Sequence, residues 1–202
     1  MTFALVVAAD EGGGIGKNGE LPWRLPGDLA FFRRQTTATL DQKKRNAVIM
    51  GRRTWESVPD RFRPLPSRLN VVVTHDPNYD TAGKAIVATS LEDVLSRARA
   101  APDIETLFII GGGVLYRDAL AHPACQTVYL TRIEGHRDCD AFFPPLEASF
   151  VLAEASARHE ENGVGYVFQR WERERFTPAS ASGSTTAEAA RSQSTRRGPL
   201  SP

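Results

Sequence analysis

Short, unbroken apolar runs alternate with stretches whose apolar positions recur every three or four residues. Phe3–Ala9, Ala47–Met50, Leu69–Thr74, Lys84–Ala88, Thr106–Ile110 and Thr127–Ile133 read as strands, most of them apolar enough to be buried on both faces. Pro26 to about Thr39, Arg52–Ser57, Leu91–Ala100 and Gly113–Ala121 read as helices. Ser90 is placed to cap the third of these, with Glu92 and Asp93 in its first turn. Val151–Ala157 and Val164–Trp171 read as a hairpin closing across His159–Gly163. Strands alternating with helices imply an α/β fold, with a mostly parallel sheet covered on both faces. The terminal hairpin adds an antiparallel edge, and no internal repeat is evident.

One polar position breaks the pattern. In GKNGELPWRLPGDLAFFRR, Pro26 suits a first helical turn, where its missing N–H is no loss. Leu25, Asp28, Leu29 and Phe32 then fall at i, i+3, i+4 and i+7, on one helix face. Asp28 is either a first-turn acid favoured by the helix dipole or a carboxyl held on an apolar face for use. The second reading rests on cost, because an acid among apolar neighbours is expensive unless something employs it. Such a carboxyl has a perturbed proton affinity and can govern a proton.

Composition narrows the classes. A chain of 202 residues with 41% hydrophobic content suits one domain with a sizeable core. The net charge of +1 offers no global basic field for nucleic acid. No apolar run approaches membrane length, and the N-terminus lacks signal-peptide features, so a cytoplasmic protein without a membrane partner is expected. Cys125 and Cys139 lack metal or redox spacing and read as reduced thiols; the scattered histidines give no metal site. No nucleophile motif appears. Residues 1–175 form the expected domain. Residues 176–202, rich in Ser, Thr, Ala and Pro, read as a disordered tail.

Ligands of open α/β sheets bind beyond the carboxyl ends of the strands. Gly51-Arg52-Arg53-Thr54, Thr74-His75 and Gly111-Gly112-Gly113 occupy three such ends. Each alone reads equally as a tight turn or a solvated surface pair. Together they suit one extended anion carrying several phosphates, at helix N-termini with guanidiniums beside them. There is no GxGxxG and no acid placed for a ribose hydroxyl, so positive charge in that place favours NADP(H) over NAD(H).

LPWRLPGDLAFFRR, VIMGRRTWESVP, RPLPSRLNVVVT, FIIGGGVLYRDAL and VYLTRI occur in order, at a spacing that resembles the dihydrofolate reductase family over residues 3 to about 173. The resemblance implies an eight-stranded sheet with four flanking helices. It implies reduction of 7,8-dihydrofolate to 5,6,7,8-tetrahydrofolate by NADPH, with hydride to C6 and a proton to N5. It also implies antifolates competing at the same site, and a monomer. Asp28 matches the acid facing the pterin, Thr131 its hydrogen-bond partner, and Trp23 an indole that helps hold a water. Leu21, Leu29, Phe32, Ser57, Val58 and Leu65 match the walls around the substrate rings, and Arg68 the arginine that grips the glutamate α-carboxylate. Val7 and Ala8 match the strand backbone beside pterin and nicotinamide. Ile15, Gly16, Ile110 and Tyr116 match the nicotinamide pocket. Gly51, Arg52, Arg53, Thr54, Thr74 and His75, with Gly111, Gly112, Gly113, Val114 and Leu115, match the rest of the cofactor side.

The loop Asp10–Arg24 is either a loose connection or a lid over the nicotinamide, and the resemblance favours the lid. Gly12, Gly13 and Gly14 depart from common family patterns and imply a more mobile lid. Thr89 and Val114 stand where some members carry basic residues. A related pterin or pyrimidine reductase, or a non-catalytic NADP-binding module, are the competing readings. The first need not keep PWxLPxD or Arg68, and the second need not keep Asp28, Thr131 or Trp23; all are present. A third reading makes the chain one half of a bifunctional polypeptide.

Overall fold

The computed structural model describes residues 2–174, so the expected tail lies outside the described residues. One large sheet organises the domain. Its strands are β1 (Phe3–Asp10), β3 (Arg45–Gly51), β4 (Arg68–Val73), β5 (Ile86–Ala88), β6 (Ile104–Gly111), β7 (Cys125–Ile133), β9 (Phe150–Ala155), β10 (His159–Glu161) and β11 (Val164–Arg173). The order is β10-β11-β7-β1-β6-β3-β4-β5, with β9 also pairing β11. From β7 to β5 every pairing is parallel, while β11 runs antiparallel to β7, β9 and β10.

The expected eight strands correspond to eight positions across the sheet. The outermost position is shared by two segments, since β9 pairs β11 at residues 169–173 and β10 pairs it at 164–166. The expected hairpin across His159–Gly163 is therefore shorter than read: β10 folds onto β11 through Asn162 and Gly163, and β9 joins the same edge further along. A small second sheet of β2 (Gly14–Gly16) and β8 (Ala141–Phe142) was not foreseen. Ladders of three and two residues carry no readable periodicity.

The apolar runs are buried on both faces, and their period of two sorts residues between two cores. Phe3, Leu5, Val7 and Ala9 of β1 join Ala47, Ile49, Leu107 and Ile109 on one face. Ala4 and Val6 join Val48, Met50, Val72 and Phe108 on the other. Helices α3 (Leu91–Arg99) and α4 (Gly113–Ala121) cover the first face through Leu91, Val94, Leu95, Leu115 and Ala119. Helices α1 (Pro26–Thr37) and α2 (Arg52–Ser57) cover the second through Phe32 and Trp55. The Ser90 hydroxyl accepts from the Asp93 N–H at 3.1 Å and caps α3 as expected.

Buried Asn46 finishes α1. Its amide donates to the carbonyls of Thr36 and Ala38 at 3.1 and 2.8 Å, while its oxygen accepts from the Thr106 N–H at 3.1 Å. Orphan carbonyls at the helix end are thereby satisfied, and the helix is tied to β3 and β6.

Candidate active site

The carboxyl ends of β1, β3, β4 and β6 open into one continuous cleft, flanked by α1, α2 and the start of α4. With one exception every site residue expected from the sequence lines it. The exception is Trp23, which packs with Leu25, Ile133 and Tyr166 in a separate small core. Its indole Nε1 is buried with no partner among the described residues. A buried unpaired donor suits an ordered water, as the sequence reading expects of this indole.

At one end of the cleft lies Asp28, in the first turn of α1 and 7% exposed. Burial pushes its carboxyl above the usual carboxylate range, and the Glu161 carboxylate adds to the rise. The hydroxyl of buried Thr131, on β7, hydrogen-bonds it and acts in the opposite sense.

The α1 face read as one apolar stripe does two jobs. Leu25 and Phe31 are core, and the Phe31 ring stacks on Phe168 with centroids 4.1 Å apart. Leu29 is 55% exposed and, with half-buried Phe32, forms a wall of the cleft. Apolar surface left open this way suits a flat aromatic ligand.

Further along the same wall, Arg68 is buried at the start of β4. Its guanidinium donates to the Thr36 hydroxyl at 2.7 Å and the Pro66 carbonyl at 3.0 Å, and lies 5.7 Å from the Phe32 ring centroid. It forms no salt bridge among the described residues. Burial and neighbouring Arg33 both lower its proton affinity, the signature of a cation lacking a counter-charge. A carboxylate arriving in the cleft would supply one.

The other end is built from helix starts. Neither α2 nor α4 has a side-chain cap at its N-terminus, so unsatisfied N–H groups and the positive helix ends face the cleft. Exposed Arg52 and Arg53 open α2. The glycine turn is tight rather than merely flexible. A Cβ at Gly113 would meet the Phe142 carbonyl oxygen at 2.7 Å, and one at Gly111 or Gly112 would meet Thr54 Oγ1 at 3.1 Å. Tyr116 on α4 is buried, and its hydroxyl donates to the Val6 carbonyl at 2.7 Å, fixing the helix against β1.

Asp10 went unread in the sequence. Its buried carboxylate accepts from the N–H groups of Gly12, Gly14 and Arg137 at 2.9, 2.7 and 2.6 Å. A Cβ at Gly12 would meet His136 Nδ1 at 3.0 Å, and one at Gly14 would meet Cys139 Sγ at 2.5 Å. The glycine run therefore serves close approach to the 136–143 segment, where the sequence suggested only freedom. An acid ending a strand before glycines was the available signal.

An open α/β sheet with a buried acid at one end of its strand-edge cleft and uncapped helix starts at the other is the scaffold of an α/β enzyme. The chain belongs to the dihydrofolate reductase family, whose model matches residues 2–173. It is 44% identical over 190 residues to the bifunctional dihydrofolate reductase-thymidylate synthase of Daucus carota, covering 91% of this chain and 36% of that protein. It is 40% identical over 180 residues to the dihydrofolate reductase of Aedes albopictus, covering 85% of this chain and 97% of that protein. With that of Heliothis virescens it shares 39% identity over 175 residues, 82% and 94% of the two chains. The chain thus spans about a third of the bifunctional relatives and nearly all of the insect ones.

Proposed function

We propose that this chain reduces 7,8-dihydrofolate to 5,6,7,8-tetrahydrofolate at the expense of NADPH. The observation that carries the reading is the buried Asp28 carboxyl, raised in proton affinity, on the wall of a cleft that also holds unpaired Arg68. A pterin offers an amidine-like edge for the first, and the glutamate of a folate offers a carboxylate for the second. Leu29, Phe32 and Leu65 line the cleft and would wall the rings. Named relatives of nearly equal length support the same activity.

The cofactor side fits a dinucleotide phosphate. Uncapped starts of α2 and α4, the Gly111–Gly113 approach and the Arg52–Arg53 pair would hold its phosphates, and an added phosphate favours NADPH over NADH. When bound, NADPH supplies the hydride. The chain's own residues do the rest. Ile15, Ile110 and Tyr116 line the cleft and would flank the nicotinamide. Asp28 binds the pterin edge and favours protonation at N5, with Thr131 fixing its orientation and Trp23 holding a water nearby. Alignment of the reacting carbons and exclusion of water by the 10–24 segment supply much of the rate.

A monomer as the catalytic unit is part of the same proposal. Antifolates resembling the pterin would compete here. Among the described residues no helix is long and apolar enough to cross a membrane; a cytoplasmic setting is part of the same proposal. The test is loss of absorbance at the NADPH band on adding dihydrofolate, repeated with NADH. Binding of NADPH without turnover of dihydrofolate would overturn the reading in favour of a binding module.

A further inference from the structure

The helix that carries Asp28 begins without a cap of its own. Its N-cap residue is Leu25, which supplies no side-chain acceptor, and Pro26 has no N–H. The first free donor is Gly27 N–H, and its acceptor comes from 134 positions away: both Glu161 oxygens receive it, at 3.1 and 2.9 Å. Glu161 is the last residue of β10, beside the tight turn into β11. Asn162, in that turn, donates to the Arg24 carbonyl at 2.8 Å. Behind them the buried Tyr166 hydroxyl lies so near Gly27 that a Cβ there would collide with it, as it would with a Glu161 oxygen. A glycine is thus required at the contact, and the C-terminal hairpin clasps the start of α1 through two bonds and one close packing.

We propose that Glu161 is a positioning residue for Asp28: its carboxylate seats the first turn of α1 and holds a fixed negative charge behind the cleft carboxyl. The proposal rests on the catalytic role given above to Asp28. Glu161 is itself seated against the start of α1, where the Gly27 N–H meets both of its oxygens. Around Asp28, the other groups that face it are Thr131 from β7, Tyr166 from β11 and Tyr116 from α4, all neutral at physiological pH. Glu161 is the charge among them. A like charge nearby makes Asp28 hold its proton more tightly, in the same direction as burial.

Glu161→Gln keeps the shape and one acceptor for Gly27 while removing the charge. Two readouts follow: the titration of the Asp28 carboxyl by carbon-13 NMR in the ligand-free protein, with the signal assigned by Asp28→Asn, and the pH profile of NADPH-dependent turnover. In Glu161→Gln the Asp28 signal is expected to titrate at lower pH than in the parent. Turnover above neutrality is expected to fall roughly two- to fivefold, the size of a partly screened charge interaction, and to recover as pH falls. Glu161→Ala should move the titration likewise and also lower the melting temperature, because Gly27 loses its acceptor. An Asp28 titration unchanged by Glu161→Gln would overturn the proposal. A moved titration with an unmoved pH–rate profile would uphold the clamp and reject proton control by Asp28 as the catalytic reading.

Discussion

Arg68→Leu separates the cost of the buried guanidinium to the fold from its value to the ligand. In the free protein Arg68 makes two bonds, to the Thr36 hydroxyl at 2.7 Å and the Pro66 carbonyl at 3.0 Å. Hydrogen bonds to a charged group contribute about 1.5–3 kcal/mol each. Against them stands the desolvation of an unpaired ion, several kcal/mol even after relaxation. The two sides offset, and leucine retains apolar contact with Phe32, so the unliganded variant should match the parent in stability to within about 2 kcal/mol. Binding behaves otherwise. Loss of one partner of a desolvated ion pair costs about 2–5 kcal/mol. At about 1.4 kcal/mol per tenfold, dihydrofolate should bind from about 30-fold to several thousandfold more weakly. Calorimetric titration with dihydrofolate and with a pteridine lacking the glutamate measures this directly. The variant should lose affinity for the first alone, with NADPH affinity unchanged. Equal loss for the carboxylate-free pteridine, or for NADPH, would refute the placement of Arg68.

Asp28→Asn should lower turnover at neutral pH by about 10²–10⁴-fold, with partial recovery in acid as the substrate protonates itself; pH–rate profiles check this. The same variant should melt higher than the parent above the carboxyl's titration and equally in acid. Because folding raises this group's proton affinity, its neutral form favours the fold at low pH, and that contribution is lost as pH rises through the window between the unfolded and folded values. Melting curves across pH would expose the opposite sign. Gly113→Ala should cost about 1–3 kcal/mol of stability and weaken NADPH, because the new methyl would meet the rigid Phe142 carbonyl; denaturant melts and NADPH titration read both. Arg53→Ala should weaken NADPH roughly tenfold while sparing NADH, measured by fluorescence titration with each.

Much of this was legible in the chain. An apolar run announces burial on two faces, so Phe3–Ala9 of β1 and Ala47–Met50 of β3 pointed to a parallel sheet before their register was known. Ser90 announced its helix through capping chemistry that acts over three residues. Gly111–Gly113 announced a close approach, though what approached, Thr54 and Phe142, needed the fold. Leu29 was harder. At helical spacing an apolar residue facing a ligand and one facing a core look alike, and only the exposed wall told them apart. Glu161 carried no local signal: its partner lies on another element, and a glutamate in a strand near a turn reads as solvated. Asp10 likewise acts on backbone groups that become neighbours only after the 136–143 segment has folded over the glycines.

Arg68 leans on Thr36, eight residues beyond Asp28 on the same helix. At 1.5 Å per residue, Asp28 and the Thr36 hydroxyl that braces Arg68 are set about 12 Å apart along one stiff helix. Held by Glu161 at its start and Asn46 at its finish, α1 would, on the proposed function, serve as a ruler that gauges the length of an incoming molecule. A compound too short to reach from the acid to the guanidinium fills only one of its marks.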